Sequence, residues 1–104
     1  MHDFKIIAKE VLELEAKELL NAAALIGDEM REATELVASL KGKLIITGVG
    51  KSGLIGAKIA ATLASTGTSS FFLHPTEALH GDLGMIGKDD AVLAISYSGE
   101  SEEL

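Results

Sequence analysis

The passage from Leu44 to Gly53 constrains this chain more than any other. An apolar run, Leu44-Ile45-Ile46, gives way to Gly48-Val49-Gly50-Lys51-Ser52-Gly53, and then to a small-residue helical stretch, Leu54 to Ser65. A β-branched run, a cluster of glycines and a helix start form the layout of an anion-binding turn. Glycines let the backbone turn sharply and approach a ligand closely. The free N–H groups and the positive dipole end of the new helix then face that ligand.

The remaining chain falls into order around this turn. Residues 4 to 20 carry Phe4, Ile7, Val11, Leu12, Leu14 and Leu19 mostly at helical spacings, and Asp3 fits as N-cap. A second helical stretch, Asn21 to Leu40, is weakened at Gly27, where Asp28 offers a restart. One long helix or two fit the pattern equally. Lys41-Gly42 reads as a helix end with a C′ glycine. The first strand is Lys43 to Thr47, apolar almost throughout, as a strand covered on both faces requires. The second strand is Ser69 to Leu73. Pro75 opens a short helical turn through Ala78. Asp89-Asp90 is a turn before the third strand, Ala91 to Ser96, and a further helix begins near Ser101. Strands alternating with helices predict an α/β fold with an open parallel three-layer sheet of about three strands, joined by right-handed crossovers. One or two N-terminal helices precede it. The expected organisation is a helical arm, residues 1–42, followed by residues 43–104 as the first half of a domain whose remaining strands lie beyond Leu104.

Composition narrows the function classes. A length of 104 residues allows one small domain, and 47% hydrophobic residues can fill its core. A net charge of −7 argues against a nucleic-acid footprint and against an anionic membrane surface. There are no cysteines, so disulfides and thiolate metal sites are excluded. The first residues lack a basic region followed by an apolar core, and no apolar run approaches about 18 residues. The expectation is a soluble, cytoplasmic protein.

The spacing Gly48-x-Gly50-x-x-Gly53 also fits the dinucleotide fingerprint. That fingerprint needs an acidic residue at the end of the second strand, where this chain has Leu73-His74-Pro75. A Walker-type loop fails, because the glycine it needs at position 45 is Ile45. A plain strand–helix turn with a solvated lysine is the bland alternative. A second passage weighs against it. Ser96-Tyr97-Ser98-Gly99-Glu100-Ser101 follows the third strand and again opens a helix. Hydroxyls, a glycine and helix N–H groups there make a phosphate cradle without positive charge; helix capping by Ser98 or Ser101 accounts for the same residues. In a doubly wound sheet both loops sit at the carboxyl edge, where ligands bind.

These residues resemble the sugar isomerase (SIS) domain family, and within it the arabinose 5-phosphate isomerases. The similarity rests on the glycine turn, on Ala64-Ser65-Thr66-Gly67-Thr68, on His74-Pro75-x-Glu77-Ala78-x-His80-Gly81-Asp82-Leu83-Gly84-Met85, and on Ser96-x-Ser98-Gly99-Glu100-Ser101-x-Glu103. It covers nearly everything from residue 41 onward. The His74 to Met85 block is its specific part.

The resemblance implies an aldose–ketose isomerase interconverting ribulose 5-phosphate and arabinose 5-phosphate, feeding the octulosonate sugar of lipopolysaccharide or capsule. Such chemistry moves a proton between adjacent carbons through an enediolate, and needs a base and an electrophile. The family's catalytic lysine falls on Lys51 and a catalytic glutamate on Glu103. Substrate contacts fall on Gly50, Ser52, Gly67, Thr68, His80, Ser96, Ser98, Gly99, Glu100 and Ser101. For Gly67 and Thr68, topology disagrees with the resemblance: their turn precedes the second strand and belongs to the opposite edge of the sheet. His74 is implied as a zinc contact. The spacing His74-x2-Glu77-x2-His80 is not a zinc signature. The reaction requires no cofactor, and bound zinc would be incidental or inhibitory.

The family's other catalytic glutamate and its histidine belong to a second half that these residues do not include, so residues 1–104 alone are expected to turn over weakly or not at all. Tyr97 stands where relatives often carry asparagine. A sugar-phosphate substrate, no nucleic acid, no membrane and a homo-oligomer are the implied partners. A non-catalytic sugar-phosphate-binding regulatory module is the alternative reading, and a dinucleotide-dependent oxidoreductase a third.

Overall fold

The computed structural model describes residues 3–76 and 81–99. Helix α1 spans Phe4–Leu25, and the Asp3 side chain caps it by accepting from the N–H groups of Lys5 and Ile6. The helix breaks at Ile26, which takes an extended conformation, and Gly27 follows. Helix α2 restarts at once, over Asp28–Ala38, with Asp28 and Glu29 in its first turn. Acidic side chains there complement the helix dipole. The helical region is therefore two helices, and the junction lies at the glycine. The chain divides into two compact units between Thr34 and Glu35, so the last turn of α2 belongs with the sheet.

In the second unit, strand β1 (Leu44–Gly48) leads through helix α3 (Lys51–Ser65) to strand β2 (Ser70–Phe72). A 3₁₀ turn, Asp82–Met85, precedes strand β3 (Ala91–Ile95). All pairing is parallel, in the order β2-β1-β3. The first strand is therefore central. Leu44, Ile45 and Ile46 are all buried, with Ile45 and Ile46 fully so, as its unbroken apolar sequence requires. Leu44 and Ile46 join Ala60 in a cluster against which Val37, Leu40, Phe72, Ala91 and Ile95 pack. Val92 and Leu93 of β3 remain about half exposed.

Helix α3 lies on the sheet through a stripe of small residues, Gly53, Gly56 and Ala60. A side chain at Gly56 would meet Ile46, Phe72 and Ile95 at 3.0 to 3.5 Å, and one at Gly53 would lie 2.6 Å from the Gly48 carbonyl oxygen. The spacing i, i+3, i+7 puts all three on one face. The helix ends at Thr66 in a Schellman arrangement: Gly67 takes φ 105, and the Thr68 N–H donates to the Leu63 carbonyl at 2.9 Å.

Gly42 does not serve as a C′ residue, contrary to the sequence reading. Helix α2 stops at Ala38, and Gly42 has no positive φ. Its glycine is required by space, because a Cβ would collide with the Asp90 carboxylate and the Asp89 carbonyl. Asp90 is the clamp between the starts of β1 and β3. Its carboxylate accepts from the Lys43 N–H at 2.6 Å and the Gly87 N–H at 2.7 Å, with the Lys43 ammonium 3.9 Å away. The two backbone donors hold the Asp90 carboxyl below its ordinary pKa, with the nearby lysine a smaller contributor.

A lowered native pKa means that the charged clamp stabilises the fold above the unfolded value, about pH 4, and that this contribution is lost as pH falls through the native value. Asp90→Ala is therefore expected to lower the urea midpoint at pH 7, with the gap to the parent chain closing as pH drops below about 4. A gap that stays constant with pH would remove the charged clamp. Gly53→Ala is expected to destabilise by about 1–3 kcal/mol, although alanine is the better helix former, because the helix has no room to seat a methyl. Urea unfolding checks the sign; a gain in stability would show that the close approach is not required.

Candidate functional site

The site grows from the ends of two neighbouring strands. Gly48, the last residue of β1, pairs in register with Ile95, the last residue of β3. Because the strands are parallel, the chain leaves both at the same edge, into Val49-Gly50-Lys51 and into Ser96-Tyr97-Ser98-Gly99. The first connection carries the chain from β1 to β2 on one side, whereas β3 lies on the other side of β1. This is the reversal of strand order at which open α/β sheets form a ligand crevice.

Gly50 makes the first loop. Its φ of 62 and ψ of −132 belong to glycine, and it is the N-cap of α3 without any side-chain cap. The helix consequently begins at Lys51, three residues before the stretch read from the sequence. Lys51 is exposed and Ser52 half-buried, both in the first turn. That turn presents backbone N–H groups and the positive end of the helix dipole at the carboxyl edge. The close approach of Gly53 to Gly48 fixes its height above the strand. A Cβ on Gly48 would meet the Gly53 nitrogen and the Ile95 carbonyl oxygen, each at 3.0 Å, so the two loops are in near contact at their roots.

The second loop is held by its own first serine. Ser96 Oγ accepts from the Gly99 N–H at 2.8 Å, and Gly99 takes φ 76. Tyr97 stands fully in solvent and leaves the backbone of the loop unobstructed. Ser98 is exposed at the tip. Lys51, Ser52, Ser96, Ser98 and Gly99 are thus brought to one edge.

His74 follows β2 at the same edge. Its Nδ1 accepts from the Thr76 N–H at 3.0 Å, and its ring stands edge-on to Phe72 with centroids 6.4 Å apart. Phe72 in turn lies within van der Waals reach of the positions where side chains on Gly53 and Gly56 would project. The ring of Phe72 therefore supports both the seat of α3 and the histidine. Sequence reading missed this role, and only the small-residue stripe Gly53, Gly56, Ala60 could have signalled that something large fills the space beneath.

Gly67 and Thr68 are not brought to this edge. Their turn ends α3 and precedes β2, lining a cavity of about 260 Å³ with Val37, Leu40, Gly42 and Ser69. The Schellman cap accounts for the glycine there. His80, Glu100, Ser101 and Glu103 lie outside the described residues, as do Glu77 and Ala78 of the short turn after Pro75. Among the described residues no three His, Asp or Glu side chains gather as metal ligands. The His74 Nδ1 accepts from the Thr76 N–H, so the neutral ring carries its proton on Nε2.

The SIS domain model matches residues 37–104. The arabinose 5-phosphate isomerase KdsD of Pseudomonas aeruginosa is 53% identical over 102 residues, covering 98% of this chain and 31% of that protein. The arabinose 5-phosphate isomerase GutQ of Escherichia coli O6:H1 is 52% identical over 96 residues, covering 92% of this chain and 30% of that protein. The chain thus spans less than a third of the length of these curated relatives. The solved structure of the E. coli CFT073 protein c3406 in complex with arabinose 5-phosphate superposes with a TM-score of 0.90 at 46% identity, over 99% of this chain and 56% of that one. By its sequence match and its fold, the chain belongs to the SIS domain family.

Proposed function

We propose that this chain supplies the phosphate-binding loops and the catalytic lysine of an isomerase that interconverts D-ribulose 5-phosphate and D-arabinose 5-phosphate. The observation that carries the reading is the convergence of the Gly50–Ser52 turn and the Ser96–Gly99 loop at one strand-order reversal, with an exposed lysine at the helix start. The names of the relatives, and the structural neighbour solved with arabinose 5-phosphate, support the substrate.

The reaction is redox-neutral. A base takes a proton from C1 of the ketose, and the C2 carbonyl becomes the enediolate oxyanion. Transfer of the O1 proton to O2 and return of a proton to C2 give the aldose. Backbone N–H groups of the α3 first turn and hydroxyls of the serine loop hold the phosphate dianion. The Lys51 ammonium stabilises the enediolate or neutralises the phosphate. Glu103 is assigned the base, and burial is the device that would raise a carboxylate toward neutrality for that work. His80, Glu100 and Ser101 are assigned to the sugar. Gly67 and Thr68 reach it only across a subunit interface or by an unusual loop path. No cofactor is required, and zinc at His74 is incidental or inhibitory.

A phosphorylated pentose is retained inside cells, so the reading places the enzyme in the cytoplasm, in the supply of octulosonate for lipopolysaccharide or capsule. Among the described residues no helix is long and apolar enough to cross a membrane. The enzyme acts as a homo-oligomer, and residues 1–104 alone bind sugar phosphate with little turnover.

In the complete polypeptide, Lys51→Ala is expected to lower turnover by more than about tenfold, followed by interconversion of the two pentose phosphates. Turnover near the parent level would remove the lysine from the mechanism. Absence of interconversion in the parent would favour the regulatory module. Activity in excess chelator is expected to be unchanged or raised; loss that zinc restores would contradict the incidental role.

A further inference from the structure

The two loops at the carboxyl edge are built in opposite ways. Gly50 begins α3 without any side-chain cap, and a Cβ at that position would meet nothing within 4 Å. No capping side chain competes for the first-turn N–H groups that face the ligand edge. The Ser96–Gly99 loop, by contrast, closes on itself. Ser96 Oγ accepts the Gly99 N–H at 2.8 Å, three residues on, as a capping serine does at a helix start.

Packing sets the root of this second loop and not its tip. At the root, Ile95 is the register partner of Gly48, and its side chain lies 3.5 Å from where a Cβ on Gly56 would stand. Past the root, the Tyr97 side chain is wholly in solvent, and Ser98 and Gly99 are exposed. Gly99 nevertheless takes a defined left-handed conformation, φ 76, although glycine has more backbone freedom to lose than any other residue. The half-buried Ser96 supplies a tie that selects it. An anion that binds a loose loop must first order the backbone, and a bond already in place removes part of that cost.

We infer that Ser96 is a positioning residue: its hydroxyl oxygen holds the Gly99 N–H and so presets the Ser98–Gly99 corner for the phosphate. The resemblance to the family makes Ser96 a substrate contact; the geometry gives its oxygen a different task, performed through Gly99. The first loop then contributes donors and the second contributes shape. For its ligand the inference rests on the sugar-phosphate reading of this edge, and for its mechanism on the Ser96–Gly99 bond.

Amide NMR on the 104-residue chain tests it, comparing the parent with Ser96→Ala and Ser96→Thr. Two quantities are read: the exchange of the Gly99 amide with water before ligand is added, and the affinity for arabinose 5-phosphate and, separately, for inorganic phosphate. Ser96→Ala is expected to speed Gly99 exchange about three- to tenfold and to weaken binding by a similar factor. Ser96→Thr keeps the γ-oxygen and should hold both near the parent values. Binding lost with Gly99 exchange unchanged would make Ser96 a direct contact and overturn the positioning role. Faster exchange with full affinity would overturn the link between loop shape and binding. If the parent binds inorganic phosphate but not arabinose 5-phosphate, the same dependence on Ser96 supports the inference while the sugar reading falls. A parent chain that binds neither would overturn both.

Discussion

The contact between Gly48 and Gly53 is the one on which the site depends. It seats the first turn of α3 directly on the end of β1, closer than any side chain permits. From that contact follow the height of Lys51 above the sheet and the direction of the helix N–H groups. Because Gly48 is also the register partner of Ile95, the same glycine fixes how near the serine loop can come. Packing and ligand geometry are here one constraint: what brings the helix down also opens the crevice.

The opposite edge is secured differently. There the strand starts are tied by a single carboxylate, Asp90, across 47 residues of sequence. Its bonds to the N–H groups of Lys43 and Gly87, together with Ala91 N–H donating to the Lys43 carbonyl, hold β1 and β3 in register before either reaches the functional edge. A charged acceptor satisfying two backbone donors is stronger than a neutral one. Such a clamp sets the register from the edge opposite the functional one.

Much of this was legible in the sequence because it is local. The alternation of strands and helices, the apolar run of β1, the N-cap Asp3, the break near Gly27 and the glycine turn each depend on residues close together in the chain. What was not legible depends on long-range neighbours. Gly42 looks like a helix stop until Asp90 is placed beside it, and Asp90 looks like a turn residue until Lys43 and Gly87 reach it. Phe72 reads as an ordinary strand aromatic, and its role under Gly53 and Gly56 appears only once β2 is beside β1. Of the site, Lys51, Ser52, Ser96, Ser98, Gly99 and His74 share one edge. Gly67 and Thr68 occupy the other, as the order of elements in the sequence already required.

The central claim is that the two loops form one anion pocket, and backbone amide shifts test it most directly. In an NMR titration of the 104-residue chain with arabinose 5-phosphate, the amides of Lys51, Ser52, Ser98 and Gly99 should move together along one saturating curve while those of Gly67 and Thr68 stay in place. Movement of only one loop, or of the Gly67–Thr68 turn in place of both, would contradict it.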